Sequence, residues 1–130
     1  MKKLFIWVFC GLLMQPTVYG MSLDLSGEKF NDEREESLDS KSDEELAQIT
    51  HLNLARNHLT KIPAILKRMP NLGELDFKFN DISSFEGLPK LDKLRKLDLY
   101  SNDISSFEGL PSLPNLEELN LNMNRISSFE

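Results

Sequence analysis

A chain of 130 residues with 40% apolar side chains is long enough for one domain with a packed core. Its 21 acidic and 15 basic side chains give a net charge of −6, which argues against a general nucleic-acid binder. The single cysteine, Cys10, excludes an intrachain disulfide.

The first twenty residues differ from the rest. Lys2 and Lys3 form a basic start, residues 4–14 are an unbroken apolar run of 11, and Val18-Tyr19-Gly20 supplies tolerated residues before a cut. This is the layout of a secretory signal peptide over residues 1–20. The alternatives are a buried N-terminal helix or a retained anchor, although the run is well short of the ~20 apolar residues a spanning helix needs. Cys10 has no small residue before it, which argues against a lipoprotein cysteine. Cleavage after Gly20 would leave 110 residues with 13 basic and 21 acidic side chains and no cysteine. Such a chain would be extracytoplasmic, secreted or periplasmic, and held together by packing alone.

Residues 21–48 carry ten acidic and three basic side chains, whereas residues 49–130 carry eleven and ten. Almost all of the net acidity lies in one segment. Within residues 28–45 only Phe30 and Leu38 are large and apolar, and residues 21–41 are accordingly expected to be a disordered acidic linker. Ser42 followed three residues later by Glu45 matches a capping box. Residues 42–48 are therefore expected to form a short helical cap on the array that begins at Ile49, with Leu46 turned toward it.

The remainder is periodic. NDISSFEGLP occurs at residues 80–89 and again at 102–111, and NRISSFE begins at Asn124. The segments ITHLNLARNHL (49–59), LGELDFKFNDI (72–82), LRKLDLYSNDI (94–104) and LEELNLNMNRI (116–126) obey one rule. Positions 1, 4, 6 and 11 are apolar and position 9 is asparagine, with spacings of 23, 22 and 22 between the asparagines. Alternation around positions 4 and 6 makes a short strand with its leucines facing one side. Stacked units give a parallel sheet in which Leu52, Leu75, Leu97 and Leu119 form one column and Leu54, Phe77, Leu99 and Leu121 another. Asn57, Asn80, Asn102 and Asn124 follow the strands, where a carboxamide can donate and accept at once, so they are read as a structural ladder. Phe85, Phe107 and Phe129 should stack on the return side. Pro89 and Pro111 restrict that side to short helical or 3₁₀ turns.

This pattern resembles the leucine-rich-repeat family, whose consensus is L-x-x-L-x-L-x-x-N-x-L. The units with S-F-E-G-L-P-x-L are similar to the short subclass of a phosphatase-regulating subunit and of bacterial internalins. The resemblance implies an α/β solenoid, a horseshoe segment with a concave parallel sheet, divided as 49–71, 72–93, 94–115 and a truncated 116–130. It also implies a recognition scaffold that binds another protein. Two alternatives stay open: a regulatory or scaffold subunit of an enzyme such as a phosphatase, or the N-terminal targeting part of a larger effector enzyme.

Within these residues chemistry is sparse. His51 and His58 are seven apart with no third ligand, and the serines recur with the repeat period. No catalytic residue, metal site or cofactor is expected, and nucleic acid is not an expected partner. The variable positions 3, 5, 7 and 8 of each unit fall on the concave sheet face. They offer Phe79, Tyr100 and Met123 as apolar anchors, with Asp76, Lys78, Lys96, Asp98 and Asn122 around them as the candidate partner-binding set. Four strands span roughly 19 by 23 Å, about 440 Å², against ~800 Å² per partner in a standard interface. The incomplete last unit has no return segment to cover its apolar side, which points to a fragment or degraded member of a longer array; the alternative is that another chain covers the edge, edge-to-edge self-association included.

Overall fold

The computed structural model describes residues 20–127. The signal-peptide reading of residues 1–19 and the place of Phe129 in the aromatic column lie outside the described residues. Within them, five short strands form one parallel sheet in sequence order: β1 (Met21–Asp24), β2 (Ile49–Asn53), β3 (Glu74–Asp76), β4 (Lys96–Asp98) and β5 (Glu118–Asn120). The register aligns Leu23, Leu52, Leu75, Leu97 and Leu119 across the sheet. Each unit thus contributes one rung, and the leucine columns expected from the spacing are continuous.

The sheet contains one strand more than the periodicity predicts, and the extra one comes from the segment read as a disordered linker. Residues 21–41 are ordered: β1 pairs with β2, and α1 (Asp32–Asp39) follows. Leu25, Phe30 and Leu38 are buried, at 3%, 8% and 3% exposure, and Leu23 packs partly buried against them. The acids that suggested disorder sit where a helix start favours them. Asn31 caps α1 by accepting the Arg34 N–H, and Asp32, Glu33 and Glu35 occupy its first turn, near the positive end of the helix dipole. Residues 20–30 occupy positions 1–11 of a further unit, 29 residues long up to Ile49. In this unit Leu23 and Leu25 keep positions 4 and 6 and Phe30 keeps position 11, while Gly20 and Glu28 stand at positions 1 and 9.

A second helix, α2 (Asp43–Leu46), carries the capping box. Ser42 Oγ accepts the Glu45 N–H and the Glu45 carboxylate accepts the Ser42 N–H. Arg68 fastens this region to the first full repeat. Its guanidinium donates to Asp43 Oδ1, the Asp39 carbonyl and the Lys41 carbonyl at 2.9, 2.9 and 2.7 Å.

The return side is less helical than expected. Among the described residues only the first full repeat has a 3₁₀ helix, Ala64–Arg68, entered through Pro63. In the next two repeats the chain returns by tight turns, closed by Leu88 N–H to the Phe85 carbonyl and Leu110 N–H to the Phe107 carbonyl. Pro89 and Pro111 lack the N–H that a continuing helix would use. Gly87 and Gly109 adopt φ of 90° and 85°, a left-handed bend that a side chain would strain. That bend fixes the glycine of each S-F-E-G-L-P. The core between sheet and return includes Phe77, Ile82, Phe85, Leu91 and Leu94, all essentially inaccessible. Phe85 and Phe107 stack with ring centroids 6.3 Å apart and planes at 11°.

Candidate interaction surface

The turn after each strand sets the concave surface. The position-9 asparagine binds two units at once. Asn102 Nδ2 donates to the Phe77 and Leu99 carbonyls, and its Oδ1 accepts the Ile82 N–H. Asn80 donates to Leu54 and Phe77 in the same way and accepts from Leu59 and Asn57. Asn57 reaches back to the Leu25 carbonyl, and Asn124 to that of Leu99. Asn57, Asn80 and Asn102 are buried, and each carboxamide satisfies groups that would otherwise be stranded away from water. Residue 28 of the first unit, being Glu, does not extend this ladder.

Position 5 carries a second ladder. Asp24, Asn53, Asp76, Asp98 and Asn120 each accept, through Oδ1, the backbone N–H two residues on. These Asx turns bend the chain out of each strand. Asp76 and Asp98 therefore hold their own turns with one oxygen and present the other to Lys78, whose Nζ lies 3.3 Å from Asp76 and 4.0 Å from Asp98. At Asp24 the Ser26 hydroxyl, followed by the Ser26 N–H, holds the carboxyl below its ordinary range. Position 3 forms an exposed row, His51–Glu74–Lys96–Glu118, with successive side-chain nitrogen and oxygen atoms 3.7, 3.9 and 3.7 Å apart. Arg95 and Glu117 pair beside it at 3.1 Å, and that carboxylate raises the Arg95 pKa. Exposed pairs of this kind add little stability; they fix the pattern of charge on the face.

Position 8 is left-handed in every repeat. Arg56, Phe79, Ser101 and Met123 have φ of 60°, 57°, 56° and 60°. A bulky side chain is costly in this conformation, yet Phe79 and Met123 stand there with 41% and 68% of their surface exposed. The Phe79 ring meets Tyr100 edge-to-face at 5.5 Å and 78°, and the Arg56 guanidinium lies 4.3 Å from its centroid. Arg56, Phe79, Tyr100 and Lys78 thus form one exposed cluster with Asp76 and Asp98 at its base. Lys96 lies apart from it, in the position-3 row. Asn122 and Met123 belong to the last strand's turn, two strand spacings or ~10 Å from Phe79.

The sequence reading underweighted Arg56, although its place at position 8, next to Phe79 in the stack, was visible. It also missed Asp24 and Ser26, which the first unit adds to the concave side. The signal was the alternation Leu23-Asp24-Leu25, the same L-D-L as Leu97-Asp98-Leu99. Among the described residues no group of three or more His, Cys, Asp or Glu could hold a metal ion. Among the same residues no helix is long and apolar enough to cross a membrane.

A stacked parallel sheet with an asparagine ladder and a variable concave face defines a solenoid scaffold. A family model described as leucine rich repeat matches residues 47–104, and one described as leucine rich repeats in two copies matches residues 92–130. The chain belongs to the leucine-rich-repeat proteins, whose repeats are typically non-catalytic and commonly mediate protein–protein interaction. Comparison of the chain with curated proteins and with solved structures gave no match. The first unit lies almost wholly outside the matched residues.

Proposed function

We propose that the chain is an exported recognition module that binds a protein partner through its concave face, centred on Phe79 and Tyr100. The carrying observation is Phe79, a large apolar side chain held exposed in left-handed backbone between Arg56 and Tyr100. Asparagine or glycine would occupy that backbone at lower cost. Folding gains little from keeping a phenylalanine 41% exposed there, whereas an interface gains a rigid aromatic anchor. Lys78, Asp76 and Asp98 supply a polar surround, and Met123, Asn122 and Lys96 widen the face.

Export rests on the basic start, the 11-residue apolar run and the tolerated residues before Met21. Partner capture from extracytoplasmic extracts by the wild-type chain and by Phe79→Asp and Tyr100→Ala variants tests the reading. Both variants should fold as the wild type does and lose the partner. Retention of the partner by both would sink the concave-face assignment, and an intact N terminus on protein in the cytoplasm would sink export.

A further inference from the structure

We propose that β1 times the removal of residues 1–20: the Gly20–Met21 bond is open to a signal peptidase only until β1 docks on β2, and the folded chain closes it. The inference rests on the export reading and adds an order of events to it.

The bond lies where the sheet begins. β1 starts at Met21, the first residue after the expected cut. Met21 donates its N–H to the Gln48 carbonyl at 3.1 Å and stands in register with Ile49. Its own carbonyl accepts the Thr50 hydroxyl at 3.4 Å. On the other side of the bond Gly20 is exposed, yet its backbone runs close to β2: a Cβ added there would come within 3.3 Å of Thr50 Oγ1. Further on, Leu25 is buried, and Leu25, Gly27 and Glu28 donate to the carbonyls of Asn53, Ala55 and Arg56. Burial and hydrogen bonding of the backbone decide whether a bond can be cut, rather than its nearness to a terminus. A peptidase takes its substrate as an extended segment with free backbone groups, so β1 has to leave β2 before the bond can enter an active site.

The order in which the chain emerges opens an interval for cutting. The only strand beside β1 is β2, at Ile49–Asn53, so β1 has nothing to dock on until those residues are available. The unit is fastened later still, when Arg68 reaches Asp39, Lys41 and Asp43. Within that interval hydrolysis adds one water across the bond. The Gly20 C–N bond breaks, leaving a carboxylate on Gly20 and an ammonium on Met21. The ammonium still donates, so the bond to Gln48 is kept when the shortened strand docks. After docking, cutting is limited to the fraction of molecules in which β1 is open.

Order of addition tests this on the full chain in nonionic detergent, with purified signal peptidase and intact mass as the readout. In one arm the urea-unfolded chain is diluted directly into peptidase; in the other it refolds first. The first arm should yield residues 21–130, and the second should yield them about tenfold or more slowly. Leu25→Pro gives an independent check. Proline lacks the N–H that Leu25 donates to Asn53, and it stands five residues beyond the cut. The refolded variant should be cut nearly as fast as the unfolded chain, while slow exchange at Leu54 and Phe77 shows that the later repeats are folded. Equal rates in the two wild-type arms, or a folded Leu25→Pro chain as resistant as the wild type, overturn the proposal and leave export standing. No cutting between Gly20 and Met21 in any arm sinks the export reading and this inference with it.

Discussion

Single side chains in this protein divide between those that close the backbone and those that the closed backbone displays. Asn102 is of the first kind: truncation to alanine strands the Phe77 and Leu99 carbonyls and the Ile82 N–H away from water. We expect Asn102→Ala to cost about 2–4 kcal/mol in urea unfolding. Asn124→Ala, at a half-buried site in the last unit, should cost clearly less. Equal losses would show that the ladder is not graded by burial. Phe79 is of the second kind. Phe79→Asn relieves a left-handed strain of about 1–2 kcal/mol and gives up only partial burial. Stability should therefore hold or rise slightly while partner capture falls. A variant that unfolds at markedly lower urea would make Phe79 a packing residue and remove the main support for the binding face. The asparagines were legible in the sequence because they recur at a fixed spacing. The contact between Arg56 and Phe79 was not, because it depends on the positive φ that turns both side chains toward the same space.

The element that sequence reasoning lost is the first unit, and its loss has a physical cause. Hydrophobic periodicity finds a unit by its leucines and asparagine, and this one has glycine at position 1 and glutamate at position 9. It is also lengthened to carry α1. What remains is Leu23, Leu25, Phe30 and Leu38, too sparse for composition to separate from a linker, yet three of them are buried. Hydrogen exchange distinguishes the two states directly. The amides of Leu25, Gly27 and Glu28, bonded to the carbonyls of Asn53, Ala55 and Arg56, should exchange slowly, whereas a disordered linker would exchange within the dead time. The capping box gives a second test: Ser42→Ala should cost about 1 kcal/mol, read as lost protection in the first unit. Asp24 gives a third. Its pKa is depressed in the folded chain, so its contribution is present above the unfolded value and lost as pH falls through the folded one. Ser26→Ala removes the hydroxyl bond but keeps the backbone one, and should move the Asp24 titration in carboxyl NMR part of the way up toward the ordinary carboxylate range. No movement would mean that the serine hydroxyl does not hold this carboxylate in solution.

At the scale of the molecule, the repeat pattern made the parallel order, the register and the leucine columns legible, because every unit repeats the same local rule. The two ends were less legible, since an end is defined by what it does not touch. Nearest-neighbour coupling makes that difference energetic: the stability of a solenoid is approximately a sum of unit terms and of interfaces between units. Here the interior units each have a neighbour on both sides, whereas Leu119, Leu121 and Ile126 of the fifth are only partly buried. Opening should therefore start at β5 and move inward. Native-state hydrogen exchange at low protein concentration should show protection falling along equivalent amides, from Leu54 and Phe77 to Leu99, whose acceptor belongs to the last strand. Protection that is uniform along the stack would mean that the five units open as one, and that the partial burial of Leu119 and Leu121 carries no penalty.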